Sequence, residues 1–90
     1  MKLQKIDLTL RRMIELLRVG AGDEGWAANL EGIRENFDSD PKFASSKLMS
    51  MYGGMGSLND VVIYSRGQVL IAESNEFDML RTQLYELVKV

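Results

Sequence analysis

Tyr52-Gly53-Gly54-Met55-Gly56-Ser57-Leu58-Asn59-Asp60-Val61-Val62-Ile63-Tyr64 is the stretch where this chain changes its period. Before it, apolar residues recur at helical spacing. After it, they run consecutively. Three of the eight glycines fall within Gly53 to Gly56, so the backbone there adopts conformations that most side chains forbid. Downstream, Val61-Val62-Ile63-Tyr64 is β-branched and aromatic without alternation, the pattern of a strand covered on both faces. Ser65-Arg66-Gly67-Gln68 reads as a turn and Val69-Leu70-Ile71-Ala72 as the returning strand, which together make a β-hairpin.

Upstream of the glycines the sequence predicts three helices. In Lys2 to Val19 the residues Leu3, Ile6, Leu10, Met13, Ile14 and Leu17 form one stripe at i, i+3, i+4, i+7. Leu8 and Val19 lie off it and hint at a second contact, and Gly20 and Gly22 punctuate the end. Asp23 to Asp38 carries a narrower stripe of Trp26, Leu30, Ile33 and Phe37, with Asp23 placed to cap it. Gly25 and Gly32 weaken this helix and offer room for a close neighbour. Pro41 to Tyr52 is a shorter helix, with Asp40 as cap, Pro41 in the first position and Gly53 at the left-handed C-terminal position. Beyond the hairpin, Glu76 to Lys89 predicts a last helix burying Phe77, Leu80, Leu84, Leu87 and Val88. Ser74 or Asn75 caps it, with Asn75 and Asp78 at capping-box spacing. The order is ααα-ββ-α, a single α+β domain over residues 1–90. A lone hairpin is marginal in water, so the helices must pack on it. Its outer edges stay unpaired, which makes a homodimer through a hairpin edge one expectation.

Composition excludes much chemistry. The chain has neither cysteine nor histidine. Disulfides, thiolate metal sites, the usual general base near neutral pH and the commonest zinc ligand are therefore missing, and the cysteine count suits a reducing cytoplasm. No apolar run approaches the roughly 20 residues that span a bilayer, and Asp7, Arg11 and Arg12 interrupt any leader-like segment. A membrane is not an expected partner. The net charge is −2, unevenly spread. Lys2, Lys5, Arg11, Arg12 and Arg18 make the first helix basic, whereas Asp23 to Asp40 holds six acidic residues against Arg34. Such a chain has no global attraction for nucleic acid, and its basic and aromatic residues do not interleave as a stacking surface requires.

The acidic residues of the second helix fall on one side. At about 100° per residue, Glu24, Glu31, Glu35 and Asp38 form a ridge opposite the apolar stripe, softened by Arg34 next to Glu31 and Asp38. A ridge of this kind is a solvated face or a docking surface for a basic protein. Two carboxylates such as Glu31 and Glu35 leave most positions around a divalent cation empty, so no metal and no cofactor is expected. Trp26 reads as a core residue whose indole N–H reaches the rim.

The glycine stretch is a second candidate surface. Phosphate loops follow a strand and open a helix. Here the order is reversed, neither GxGxxG nor the Lys-Ser/Thr pair is present, and Gly53, Gly54 and Gly56 serve chiefly as structure. Backbone amides of Gly53 to Ser57 remain an alternative cradle for an anion or small ligand. Met55, Leu58, Asn59 and Asp60 are the side chains this loop displays for contact with a partner. Ser57 or Asp60 as a catalytic group lacks a companion base in the sequence, so the expectation is a binding protein and not an enzyme.

The segment Tyr52-Gly53-Gly54-Met55-Gly56-Ser57-Leu58-Asn59-Asp60-Val61-Val62 resembles a group of small uncharacterised bacterial proteins with a G-G-M-G-S-(Phe/Leu)-Asn-Asp core ahead of a hydrophobic strand. Asn75-Glu76, Leu80-Arg81 and Leu84-Tyr85-Glu86-Leu87 look similar to that group's closing helix, and Trp26-Ala27 and Leu30 match more loosely. The group is a domain of unknown function, so the resemblance implies no activity. Some similar small acidic bacterial proteins are immunity partners of toxins. By that analogy, the expected function is an immunity-like module that binds a basic protein through the acidic helix and the glycine loop.

Overall fold

Ile6, Leu10, Met13 and Leu17 are fully buried along helix α1 (Leu3–Val19), which makes that helix the axis of the fold. The computed structural model describes residues 2–20, 24–53 and 57–89. α1 packs against both α2 (Glu24–Ser39) and α4 (Ile71–Val88). Contact on two sides explains why Thr9 and Leu16, outside the expected stripe, are also buried. Leu3 in the first turn is exposed, as are Leu8 and Val19, so the second contact expected of the latter two is not made within the described residues.

α2 buries Ala27, Leu30, Ile33 and Phe37, with Trp26 half-buried against the core. A Cβ at Gly25 or Gly32 would meet nothing within 4 Å. These glycines do not admit a close neighbour, contrary to the expectation from sequence. The Asp23 cap and Gly22 lie outside the described residues.

α3 (Pro41–Met49) begins as its sequence dictates, with Asp40 Oδ1 accepting from Phe43 N at 3.2 Å and Pro41 in the first turn. It ends three residues before Tyr52, the expected limit. Met51 N donates to Leu48 O at 3.0 Å and Tyr52 N to Met49 O at 3.2 Å, so the helix tightens into i→i+3 turns. Gly53 does adopt a positive φ of 87°, but it closes these turns rather than capping the helix. Leu58 N then donates to Met51 O at 2.8 Å and ties the far end of the glycine stretch back. A single 3₁₀ turn covers Leu58–Asp60, with Ser57 Oγ accepting from Asn59 N.

The hairpin is shorter than its apolar run. β1 (Tyr64–Ser65) pairs antiparallel with β2 (Gln68–Val69), Tyr64 opposite Val69 and Ser65 opposite Gln68. Arg66 and Gly67 form the turn with φ of 54° and 77°, the left-handed pair of a type I′ turn that matches strand twist. Val61 and Val62 are half-buried and outside the ladder, and Tyr64 is exposed. Among the described residues only Tyr64 of this run enters the ladder, and the run is not covered on both faces. Ile71 and Ala72, expected in the returning strand, instead open α4 five residues before Glu76. Leu70 N donates to Ile63 O at 2.8 Å as the last rung, and Leu70 O accepts from Ser74 N at 2.8 Å as the first helical bond. Ser74 and Asn75 are accordingly inside the helix and Leu70 is its N-cap. The β-branched Ile71 favours a strand by propensity, and the direct passage from ladder to helix overrides that signal.

α4 buries Phe77, Leu80, Leu84 and Val88 against α1 and α3, with Leu87 half-buried. Arg12 of α1 grips Glu76 of α4 through two hydrogen bonds of 2.6 and 2.9 Å. Three N-terminal helices, a β-hairpin and a C-terminal helix form one compact α+β domain.

Candidate functional site

α4 carries Arg81 and Tyr85 one turn apart, flanking the buried Leu80 and Leu84. This spacing sets both side chains on one flank of the helix. The turns after α3 bring Tyr52 against them. Tyr52 Oη donates to the Arg81 carbonyl at 2.8 Å, and the two tyrosine rings lie 5.4 Å apart at 55°, a tilted arrangement that aromatic pairs favour. Burial pushes the Tyr52 phenol well above its usual range, opposed by the charge of Arg81. The Arg81 guanidinium is largely covered. It donates to Asn59 O at 2.8 Å and pairs with Asp78 on its own helix.

Met49, Tyr52, Gly53, Asn59, Arg81, Thr82 and Tyr85 together line an open cleft of about 490 Å³. Its apolar lining comes from Met49, Tyr52 and Tyr85. Its polar lining residues are Asn59, Arg81 and Thr82, beside the two tyrosines. Thr82 Oγ1 donates to Asp78 O, and Lys89 Nζ lies 5.9 Å from the Tyr85 ring centroid. Apolar faces with a few fixed polar groups suit recognition of a side chain or short peptide.

The sequence-derived candidates divide. Asn59 lies on the cleft and is exposed, and Asp60 beside it is exposed. Leu58 is fully buried in the core and so is removed from any contact surface. Gly54, Met55 and Gly56 lie outside the described residues. The amides of Leu58, Asn59 and Asp60 are taken by Met51 O, Ser57 Oγ and Ser57 O, so this part of the loop offers no donors to an anion.

The acidic ridge is partly spent within the fold. Glu31 is half-buried and accepts from Arg34 Nε at 3.0 Å, and Arg34 also reaches Asp7 of α1 at 3.1 Å. Hydrogen bonding to Glu31, then to Asp7, raises the Arg34 pKa above its usual value. Arg34 therefore staples α2 to α1 and does not soften Asp38. Glu24 lies 3.8 Å from Arg18, a contact in solvent, and Glu35 and Asp38 are exposed. Among the described residues no cluster of three or more carboxylates gathers as a metal site, and no helix is long and apolar enough to cross a membrane.

Sequence reasoning missed the cleft because Tyr52 and Arg81 are far apart in the chain. The local signal was Arg81 and Tyr85 at i, i+4 beside the Leu80–Leu84 stripe. Nothing in the sequence brought Met49 and Tyr52 to face them.

Residues 19–71 match the family described as a domain of unknown function (DUF6966), and the chain belongs to that family. No curated protein and no solved structure matches it.

Proposed function

We propose that this member of the DUF6966 family is a protein-binding module whose recognition surface is centred on the cleft between Tyr52 and Tyr85. The supporting observation is the cleft itself. Tyrosine, methionine and arginine are the residue types enriched at binding hot spots, and here Tyr52, Tyr85, Met49 and Arg81 converge on one concavity. Both Tyr52 and Arg81 are held by internal hydrogen bonds, so little side-chain freedom is lost when a partner docks. The exposed Glu24, Glu35 and Asp38 on α2 favour a partner that is basic, and complementary charge would act mainly on the association rate. An immunity-like role against a basic toxin is the sharpest form of this reading.

Selection of peptides from a random display library tests it, with wild-type protein as bait and Tyr85→Ala protein as counter-bait. Selected peptides should shift the amides of Met49, Gly53, Asn59 and Thr82 and lose at least about tenfold in affinity for Tyr85→Ala. Peptides that bind both proteins equally, or that shift only α2, would remove the cleft from the reading.

A further inference from the structure

Ile63 and Ser65 direct their backbone groups inward. Leu70 N donates to Ile63 O, Ser74 Oγ accepts from Ile63 N at 3.1 Å, and Ser65 pairs with Gln68 across the turn. In an antiparallel ladder successive residues point their N–H and C=O to opposite sides. Val62 and Tyr64 therefore point theirs away from β2. Among the hydrogen bonds of the described residues, none engages the backbone of Val62 or Tyr64. The chain is already extended from Val61, with φ −70° and ψ 127°. Val61 to Ser65 holds no charge and no proline, the devices by which proteins blunt an exposed edge. Tyr64 and Val69 face each other across the ladder and are 45% and 47% exposed.

We infer that this edge is a self-association site, where two copies of the chain pair antiparallel about a two-fold axis. Val62 of each copy lies opposite Tyr64 of the other. The backbone selects this register. Pairing Tyr64 with Tyr64 would place Val62 against Arg66, whose φ of 54° takes it out of extended geometry. The occupant is a second copy because the ends of the segment are complementary in charge. Asp60 precedes it and Arg66 follows it, so the two-fold runs the basic end of one copy alongside the acidic end of the other. The same register extends the exposed Val69–Tyr64 pair by Val62 of the second copy into one apolar row.

The test is sedimentation velocity with amide exchange on the full chain, from about 10 μM to about 1 mM, a range that brackets weak dimers. The mass should rise from that of the 10.2 kDa chain toward twice that value. The Val62 and Tyr64 amides should slow in exchange only at the higher concentrations. Tyr64→Lys, at an exposed position, should leave helical circular dichroism unchanged and raise the dissociation constant at least about tenfold. Mixing Val62→Cys with Tyr64→Cys protein should give a mixed disulfide that neither forms alone. A monomer at every concentration overturns the inference. So does a dimer in which both amides exchange as fast as in dilute solution. An extended foreign peptide that protects these amides in a chain that stays monomeric would reassign the edge to another protein.

Discussion

Ser74 Oγ accepts from Ile63 N at 3.1 Å and lies 3.3 Å from Ile63 O, so one hydroxyl in the first turn of α4 secures the start of the hairpin. Removing it leaves a half-buried N–H without a partner. Ser74→Ala is expected to lower stability by about 1–2 kcal/mol, measured by urea unfolding. The Leu70 amide, next on the same ladder, should exchange faster with the helices otherwise unaltered.

Leu58 and Asn59 are neighbours with opposite roles. Leu58 is fully buried, and Leu58→Ala should cost about 2–4 kcal/mol through lost contacts and a residual cavity. Asn59→Ala should stay within about 0.5 kcal/mol of wild type, because the structural bond from Arg81 uses the backbone carbonyl. Peptide affinity should fall for Asn59→Ala while its urea midpoint holds.

Gly25 and Gly32 sit on the exposed side of α2 with open space where a Cβ would be. Alanine at either position restores helix propensity without a clash. Each change should add about 0.5–1 kcal/mol, seen as a higher thermal midpoint, and the pair should be near additive because the residues lie two turns apart.

Arg66 occupies a left-handed conformation at φ 54°, which a branched or long side chain adopts at some cost. Asn-Gly is the preferred pair for this turn. Arg66→Asn should therefore raise stability by roughly 0.5 kcal/mol, and Gly67→Ala, at φ 77°, should lower it. Paired thermal melts of the two variants check the opposite signs.

The pH response follows from α1 and α4. The hydrogen bonds from Arg12 hold the Glu76 carboxyl below its ordinary value, aided by the charge of the guanidinium. Stability from this pair is complete above the ordinary carboxylate range. It is lost as pH falls through the depressed value of the folded state. Urea midpoints measured from neutral pH downward should show a shallower acid limb for Glu76→Gln than for wild type.

The helices were legible because their signals are local. The stripes of α1 and α2 and the Asp40–Pro41 start of α3 are carried by residues within a few turns of each other. The hairpin turn was legible for the same reason, since Arg66-Gly67 sits between two apolar runs. The lengths of β1 and β2 were not, because a β-branched run such as Val61–Ile63 forms a ladder only where a partner strand exists. Nor was the start of α4, where the Leu70 rung and the Ser74 bridge override the local cap signals of Ser74 and Asn75. Of the site, Asn59 was read from the loop. Tyr52, Arg81 and Tyr85 depend on a contact between α4 and the turns after α3, and Leu58 looked exposed only because its pocket is built from distant helices.

Leu70 closes the last rung of the hairpin and opens α4 with no residue between them. A junction without slack fixes the direction in which the helix leaves the ladder. At about 1.5 Å per residue, Tyr85 lies roughly 20 Å down the same rigid rod from Ile71. Tyr52, bonded to the Arg81 carbonyl and packed on the Tyr85 ring, is held to that same rod, so one helix joins the hairpin at its start to the cleft near its end.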